Sequence, residues 1–204
     1  MRQPHKSKKG WGAFFTTLTI TMGFVFLMVY ALKRNPNNIP SQLIGKPAPT
    51  IEGPLAQGGQ FPSQHIFHQN RWVVINFWNT SCFVCRYEAP DLERFYRTTL
   101  NDDTQPLFIS INIQDSSEVV LEYAKSYGLS FPIVTDLSGR ISLDYGVYGT
   151  PETFFIDPSG VVRERVAGSV DFETLPRFIE VLSQNAAKNP ITNDPKARKT
   201  FGAL

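Results

Sequence analysis

Cysteine is scarce in this 204-residue chain: it has two, Cys82 and Cys85, three positions apart. Two cysteines cannot build the disulfide framework of a small secreted scaffold. They are also only half of the four-ligand set of a structural zinc site. Histidine is nearly as scarce. His5, His65 and His68 are the full complement, none is close to the cysteines in sequence, and His65 and His68 read as surface residues. Acidic residues are missing from the first 34 positions, which carry six basic groups (Arg2, Lys6, Lys8, Lys9, Lys33 and Arg34). The remaining 170 residues hold 14 basic and 18 acidic groups, a net charge of −4 set against +2 for the whole chain. The basic excess therefore belongs to the N-terminal segment, and composition gives no reason to expect a nucleic-acid partner. No internal repeat is present.

What the chain does have is a 19-residue uncharged run at residues 14–32. About 20 apolar residues cross a bilayer, so the run is read as a transmembrane anchor. Basic residues crowd its N-terminal flank, which places a basic segment at 1–13 in the cytoplasm and the bulk of the protein outside it. A cleaved signal peptide is the alternative. Val29-Tyr30-Ala31 loosely resembles a cleavage site, but the apolar run is long for that role. Residues 33–40 are polar and Pro-rich, as suits a linker.

Residues 41–185 are the size of one domain and carry most of the 16 Phe. Residues 41–70 read as a short hairpin or extended segment around Gly58-Gly59. Residues 72–78 are a near-continuous apolar run, typical of a strand buried on both faces. A helix is expected from about Cys82 to Thr99, with Pro90 inside it as a kink. Residues 107–113 alternate as a second strand. Asp115 and Glu118 have the spacing of a capping box for a helix that stops at Gly128. Ile133-Val134 is a short strand, and 138–145 a short helix. Residues 153–156 and 161–166 flank the turn signal Asp157-Pro158-Ser159-Gly160 and predict an antiparallel hairpin. A last helix begins near 171–175, with Pro176 in its first turn, and a polar tail follows from about 186. This order predicts an α/β fold: a central mixed sheet with helices on both faces.

The Cys82-Phe83-Val84-Cys85 motif falls directly after a buried strand and opens a helix. A helix N-terminus has free N–H groups and a positive dipole end, which favour a thiolate. Cys82, the outer of the two, is the natural nucleophile, and Cys85 the resolving thiol. Buried inert cysteines, or half of a metal site, are the alternative reading.

The stretch from Asn76 to Pro90 resembles the active-site region of thioredoxin-like proteins. The block Gly146-Val147-Tyr148-Gly149-Thr150-Pro151-Glu152-Thr153-Phe154-Phe155-Ile156-Asp157 closely resembles the CcmG/DsbE branch, membrane-anchored thiol:disulfide oxidoreductases of cytochrome c maturation. The resemblance implies a thioredoxin-like fold and a cis Thr150-Pro151 peptide facing the cysteines. It implies a substrate-binding role for Thr150, Pro151 and Glu152, and proton handling by Glu88. Thioredoxins carry a buried Asp where this chain has Asn76, so Glu88 is the candidate acceptor for the Cys85 proton. Ser81, Phe83 and Val84 depart from the family pattern at positions that tune thiol pKa and potential.

The resemblance further implies a bacterial inner-membrane protein with its domain in the periplasm. It implies no bound cofactor or metal, apocytochrome c or its maturation proteins as partners, and a membrane electron donor of the DsbD/CcdA type. A general periplasmic thiol reductase and a non-enzymatic apocytochrome- or copper-binding module are the rival readings.

Overall fold

The structure is a computed structural model that describes residues 10–32, 41–61, 66–100, 102 and 104–188. Residues 1–9 of the basic segment, the linker at 33–40, His65 and the tail from 189 lie outside the described residues.

The described residues of the N-terminal unit form one helix, α1 (Gly10–Leu32), which starts before the expected boundary at 14. Its residues Trp11–Ala31 are long and apolar enough to cross a membrane. At about 1.5 Å per residue its 23 residues span about 35 Å. Four threonines would weaken such a segment if their hydroxyls faced lipid unbonded. Instead Thr16 and Thr17 donate to Ala13 O at 2.9 and 2.8 Å, Thr19 to Phe15 O at 2.9 Å, and Thr21 to Thr17 O at 2.9 Å. The helix thus satisfies its own threonine hydroxyls, as polar groups in hydrocarbon require.

The second unit is a five-stranded sheet of order β3-β2-β1-β4-β5. Its strands are β1 (Val73–Trp78), β2 (Leu107–Ile113), β3 (Ile133–Asp136), β4 (Glu152–Ile156) and β5 (Val162–Ala167). Strands β1, β2 and β3 pair in parallel, while β4 runs antiparallel to both β1 and β5. The helices are α2 (Phe83–Thr99), α3 (Ser117–Tyr127), α4 (Arg140–Tyr145) and α5 (Thr174–Lys188).

All six residues of β1 are buried, and the strand's period of two divides them between two cores. Val74 and Trp78 join Leu92 and Phe95 of α2, Val120 of α3 and Leu175 of α5 on one face. Val73, Ile75 and Phe77 pack with Ile141 and Tyr145 of α4 and with Ile51 and Ile66 on the other. This double burial is why the run has no polar alternation to read.

In the described part of the segment before β1, a turn at 42–45 leads into irregular chain with an isolated bridge between Pro54 and Gln60 closed over Gly58 and Gly59, and a 3-10 turn lies at Ile66–His68. The β4–β5 turn is held by Asp157, whose Oδ1 accepts from the N–H groups of Ser159 (2.9 Å) and Val161 (3.0 Å).

Two sequence expectations need correction. The pair Asp115 and Glu118 does not form a capping box: α3 is capped at Ser116, without a side-chain cap bond. Asp115 Oδ2 is already engaged by Asn112 Nδ2 (3.0 Å) and by Thr80 N (2.8 Å), so one donor from the end of β2 and one from across the fold outcompete the helix N-terminus. Pro90 lies inside α2 without ending it, as expected. Helix α5 runs to Lys188, past the domain boundary drawn at 185.

Candidate active site

The central strand β1 delivers the chain to one end of the sheet, where α2 begins. The connecting loop is fixed by side chains rather than left slack. Asn79 Nδ2 donates to Ile113 O (2.9 Å), and its Oδ1 accepts from Ser81 N (2.8 Å). Thr80 N donates to Asp115 Oδ2 at 2.8 Å. Asn79 and Asp115 were not singled out as site residues from the sequence. The available signal was topological: β1 and β2 are parallel, so the residues following each strand meet at the same end of the sheet.

Cys82 is the N-cap of α2 rather than its first helical residue, with extended backbone (φ −74°, ψ 112°). It is disulfide-bonded to Cys85. The Cys85 N–H, one of the free donors of the first turn, points at Cys82 Sγ at 3.1 Å. In the dithiol form the same donor and the helix dipole stabilise negative charge on Cys82. Cys82 is part-exposed, while Cys85 is 3 % exposed. The outer sulfur is therefore reachable by a client and the inner one is not.

The Thr150-Pro151 peptide is cis. Its Thr150 carbonyl oxygen lies 3.6 Å from Cys82 Sγ, although 68 positions separate the two residues. Phe83 and Tyr87 stack edge-to-face at 4.9 Å on the exposed first turns of α2, and with Val84 they make an apolar rim around Cys82.

Glu88, one turn beyond Cys85, is 2 % exposed. Its Oε1 accepts from Asn76 Nδ2 (2.9 Å) and its Oε2 from Val170 N (3.1 Å). Burial pushes its carboxyl up from an ordinary 4.5 to about 7, and the bonds from Asn76 and Val170 hold back part of that rise. Asn76 also donates to Thr153 Oγ1 (3.1 Å), its cross-strand partner on β4. Asn76, Cys85 and Glu88 line one small cavity, so the structure brings these three together.

Glu152 is not part of that group. It is 1 % exposed, which keeps it from direct contact with a client. Its Oε1 accepts from the N–H groups of Tyr148 (3.2 Å) and Gly149 (3.1 Å), and its Oε2 from Arg165 Nε (2.7 Å). Arg165 is equally buried, and its guanidinium also lies over the Tyr148 ring at 4.2 Å. Desolvation would lower the Arg165 pKa, but bonds to Glu152 and Tyr148 outweigh it and hold the guanidinium charged. The pair thus clamps the loop that presents Thr150 and Pro151. Arg165 was missed from the sequence because nothing local links it to the motif.

The arrangement can be compared with known proteins. The thiol:disulfide interchange protein DsbE of Escherichia coli strain K12 is 32 % identical over 178 residues, covering 84 % of this chain and 93 % of that protein. The chain belongs to the DsbE family. The family's Pseudomonas aeruginosa member is 27 % identical over 186 residues, covering 89 % of this chain and 97 % of its own length. A model described as the AhpC/TSA family matches residues 44–165, so the chain falls in that family too. Among solved structures, a thioredoxin-family thiol:disulfide interchange protein of Chlorobium tepidum superposes with a TM-score of 0.59 at 24 % identity, covering 67 % of this chain and 94 % of that one. A secreted Mycobacterium tuberculosis disulfide oxidoreductase gives 0.56 at 19 % identity, covering 64 % and 95 %. Both establish the thioredoxin-like fold. As a DsbE-family protein, the chain is a thiol:disulfide oxidoreductase.

Proposed function

We propose that this DsbE-family protein is a membrane-anchored reductase that opens disulfides of apocytochrome c during cytochrome c maturation. The observation that carries the proposal is the site geometry. An outer sulfur, reachable beside a cis-proline loop, is paired with a buried one next to a carboxyl that titrates near neutrality. The block from Gly146 to Asp157 supports the choice of client through its resemblance to the cytochrome c branch, and α1 supports the anchoring. The N-terminus then lies in the cytoplasm and the domain in the periplasm of a bacterial inner membrane.

The reaction uses the chain's own residues. The Cys82 thiolate attacks one sulfur of the client disulfide, a Cys82–client disulfide forms, and the other client sulfur leaves as a thiolate. The client segment lies against the Thr150 carbonyl and the rim of Phe83, Val84 and Tyr87. Glu88 takes the proton from Cys85, whose thiolate then attacks Cys82 Sγ. The client departs as a dithiol, and the protein is left with its Cys82–Cys85 disulfide. Outside the cytoplasm this disulfide needs a membrane dithiol donor of the DsbD/CcdA type to reopen it. No bound cofactor enters the cycle.

Replacing Cys85 by Ser while keeping Cys82 blocks the second step and preserves the mixed disulfide. Recovery of c-type apocytochromes or their maturation proteins as adducts in cells is the expected result. A broad set of unrelated periplasmic proteins would instead indicate a general reductase. Absence of any adduct would count against exchange at Cys82 and favour a binding module.

A further inference from the structure

Among the described residues of the second unit, Phe83 and Tyr87 are the two most exposed aromatic side chains, at 63 % and 68 %. Single apolar side chains scattered over a surface are ordinary. These two are a pair, stacked edge-to-face at 4.9 Å on the first turns of α2, and they adjoin the reactive sulfur. Other rings show what the pair lacks. Phe77, Tyr145 and Phe154 close a three-ring cluster in the core, with centroids 5.2, 5.5 and 5.2 Å apart. The Phe172 ring is covered by the Arg94 guanidinium at 3.7 Å, and the Tyr148 ring by that of Arg165 at 4.2 Å. Phe83 and Tyr87 have each other and otherwise face solvent.

The exchange chemistry brings a client to this spot. In a mixed disulfide the two Cα atoms lie about 5.5 Å apart, and the next Cα of the client chain is about 3.8 Å further on. The Cys82–Cys85 disulfide has a similar span, 5.3 Å. A residue flanking the attacked cysteine therefore has its Cα within about 10 Å of that of Cys82. The Thr150 carbonyl, 3.6 Å from Cys82 Sγ, bounds one side of that space, and the first turn of α2 bounds the other. Ser81 is small and polar, so the rings within reach on α2 are those that follow Cys82. Phe83 is also a position where the chain departs from its family, so this surface is particular to the chain.

We infer that Phe83 and Tyr87 form a ring-binding subsite that sets client specificity: a flat side chain, aromatic or imidazole, next to the client cysteine that Cys82 attacks completes a three-ring cluster with the pair. The Cys82 thiolate forms the S–S bond to that cysteine, and the client's other sulfur leaves as a thiolate with the electrons of the broken bond. An aliphatic side chain of similar size buries area against the pair but has no ring edge or face to match theirs. A haem-attachment segment, Cys-x-x-Cys-His, supplies its histidine to the subsite when its second cysteine is attacked. The subsite rests only on exchange at Cys82; its match to that segment rests on the proposed client.

The test uses the reduced full chain in detergent at pH 8, where an imidazole is neutral. The probes are the peptides Gly-X-Cys-Gly and Gly-Cys-X-Gly, each joined through its cysteine to nitrothiobenzoate, with X = Phe, His, Leu or Ala. Attack by Cys82 on the peptide sulfur releases nitrothiobenzoate, which is followed by its absorbance. The leaving group is constant, so the ratio of kcat/KM values within one protein reports the flanking side chain, and any change in Cys82 reactivity cancels. In one of the two placements, X = Phe and X = His should exceed X = Ala about tenfold, and X = Leu should exceed it by no more than about threefold. Phe83→Leu and Tyr87→Leu should each reduce the Phe-to-Ala ratio to about threefold, and Phe83→Tyr, which keeps a ring, should preserve it. Ratios near one in the wild type would overturn the inference. So would equal rates for Leu and Phe, the mark of apolar area alone, or ratios unmoved by both leucine variants. The Cys85→Ser trap separates this inference from the proposed client. If the ring preference holds and the trap yields no c-type apocytochrome, only the cytochrome reading fails. If the trap yields apocytochromes and the ring preference is absent, only the subsite fails.

Discussion

Glu88→Gln makes a thermodynamic prediction that is independent of turnover. The native carboxyl holds its proton to about pH 7, whereas an exposed one gives it up near 4.5. Between those values the folded state binds more protons than the unfolded state, so stability falls as pH rises and levels off above about 7. Forcing the buried group to ionise costs about 3 kcal/mol across that window. Gln cannot ionise, and its amide can be accommodated. Its Oε1 accepts from Val170 N, and its Nε2 donates to Asn76 Oδ1 after a flip of the Asn76 amide, with Thr153 Oγ1 then donating rather than accepting. The assay is urea unfolding of the oxidised full chain in detergent at pH 5, 6, 7 and 8, taken as the difference between variant and wild type. Other carboxyls cancel in that difference. They include Glu93, where burial is outweighed by Ser130 and Arg97, and Asp157, where it is outweighed by Ser159, Val161 and Arg163. The difference should grow in favour of Gln by about 2.5 kcal/mol between pH 5 and 8. A difference that is flat with pH would refute the claim that Glu88 is buried and protonated in the oxidised protein.

Two further outcomes follow from the contacts around the site. Glu152→Gln leaves Arg165 buried without its carboxylate. It should cost about 3–5 kcal/mol in thermal or urea unfolding, and a loss below about 1 kcal/mol would mean the pair does not hold the loop. Asp115→Ala removes the acceptor of Thr80 N and Asn112 Nδ2. It should cost about 1–3 kcal/mol and accelerate amide hydrogen exchange at Thr80, while the exchange rate at that amide stays unchanged if solvent already satisfies it.

The sequence determined by itself whatever depends on neighbours along the chain. The apolar helix α1, the strand at residues 72–78, the alternation in β2, the stop at Gly128 with its left-handed backbone (φ 64°), and the β4–β5 turn are all set by local patterning or local steric allowance. The exchange chemistry was legible for the same reason: both sulfurs fall on one turn of helix at the end of a buried strand. Local patterning misled once, because Asp115 and Glu118 fit a capping pattern that Asn112 and the distant Thr80 N–H overrode.

Only the tertiary structure decided what surrounds the sulfurs. Glu88 meets Asn76 across 12 positions and Val170 across 82, and Cys82 meets Thr150 across 68. Whether Glu88 is a solvated carboxylate or a buried acid near pH 7 depends on dehydration by three elements at once. Dehydration is a property of the assembled volume, not of sequence spacing. The separation of Glu152 from Glu88 has the same origin. Both are glutamates beside a recognised motif, but packing assigns one to a neutral cavity behind Cys85 and pairs the other with Arg165 beneath the proline loop.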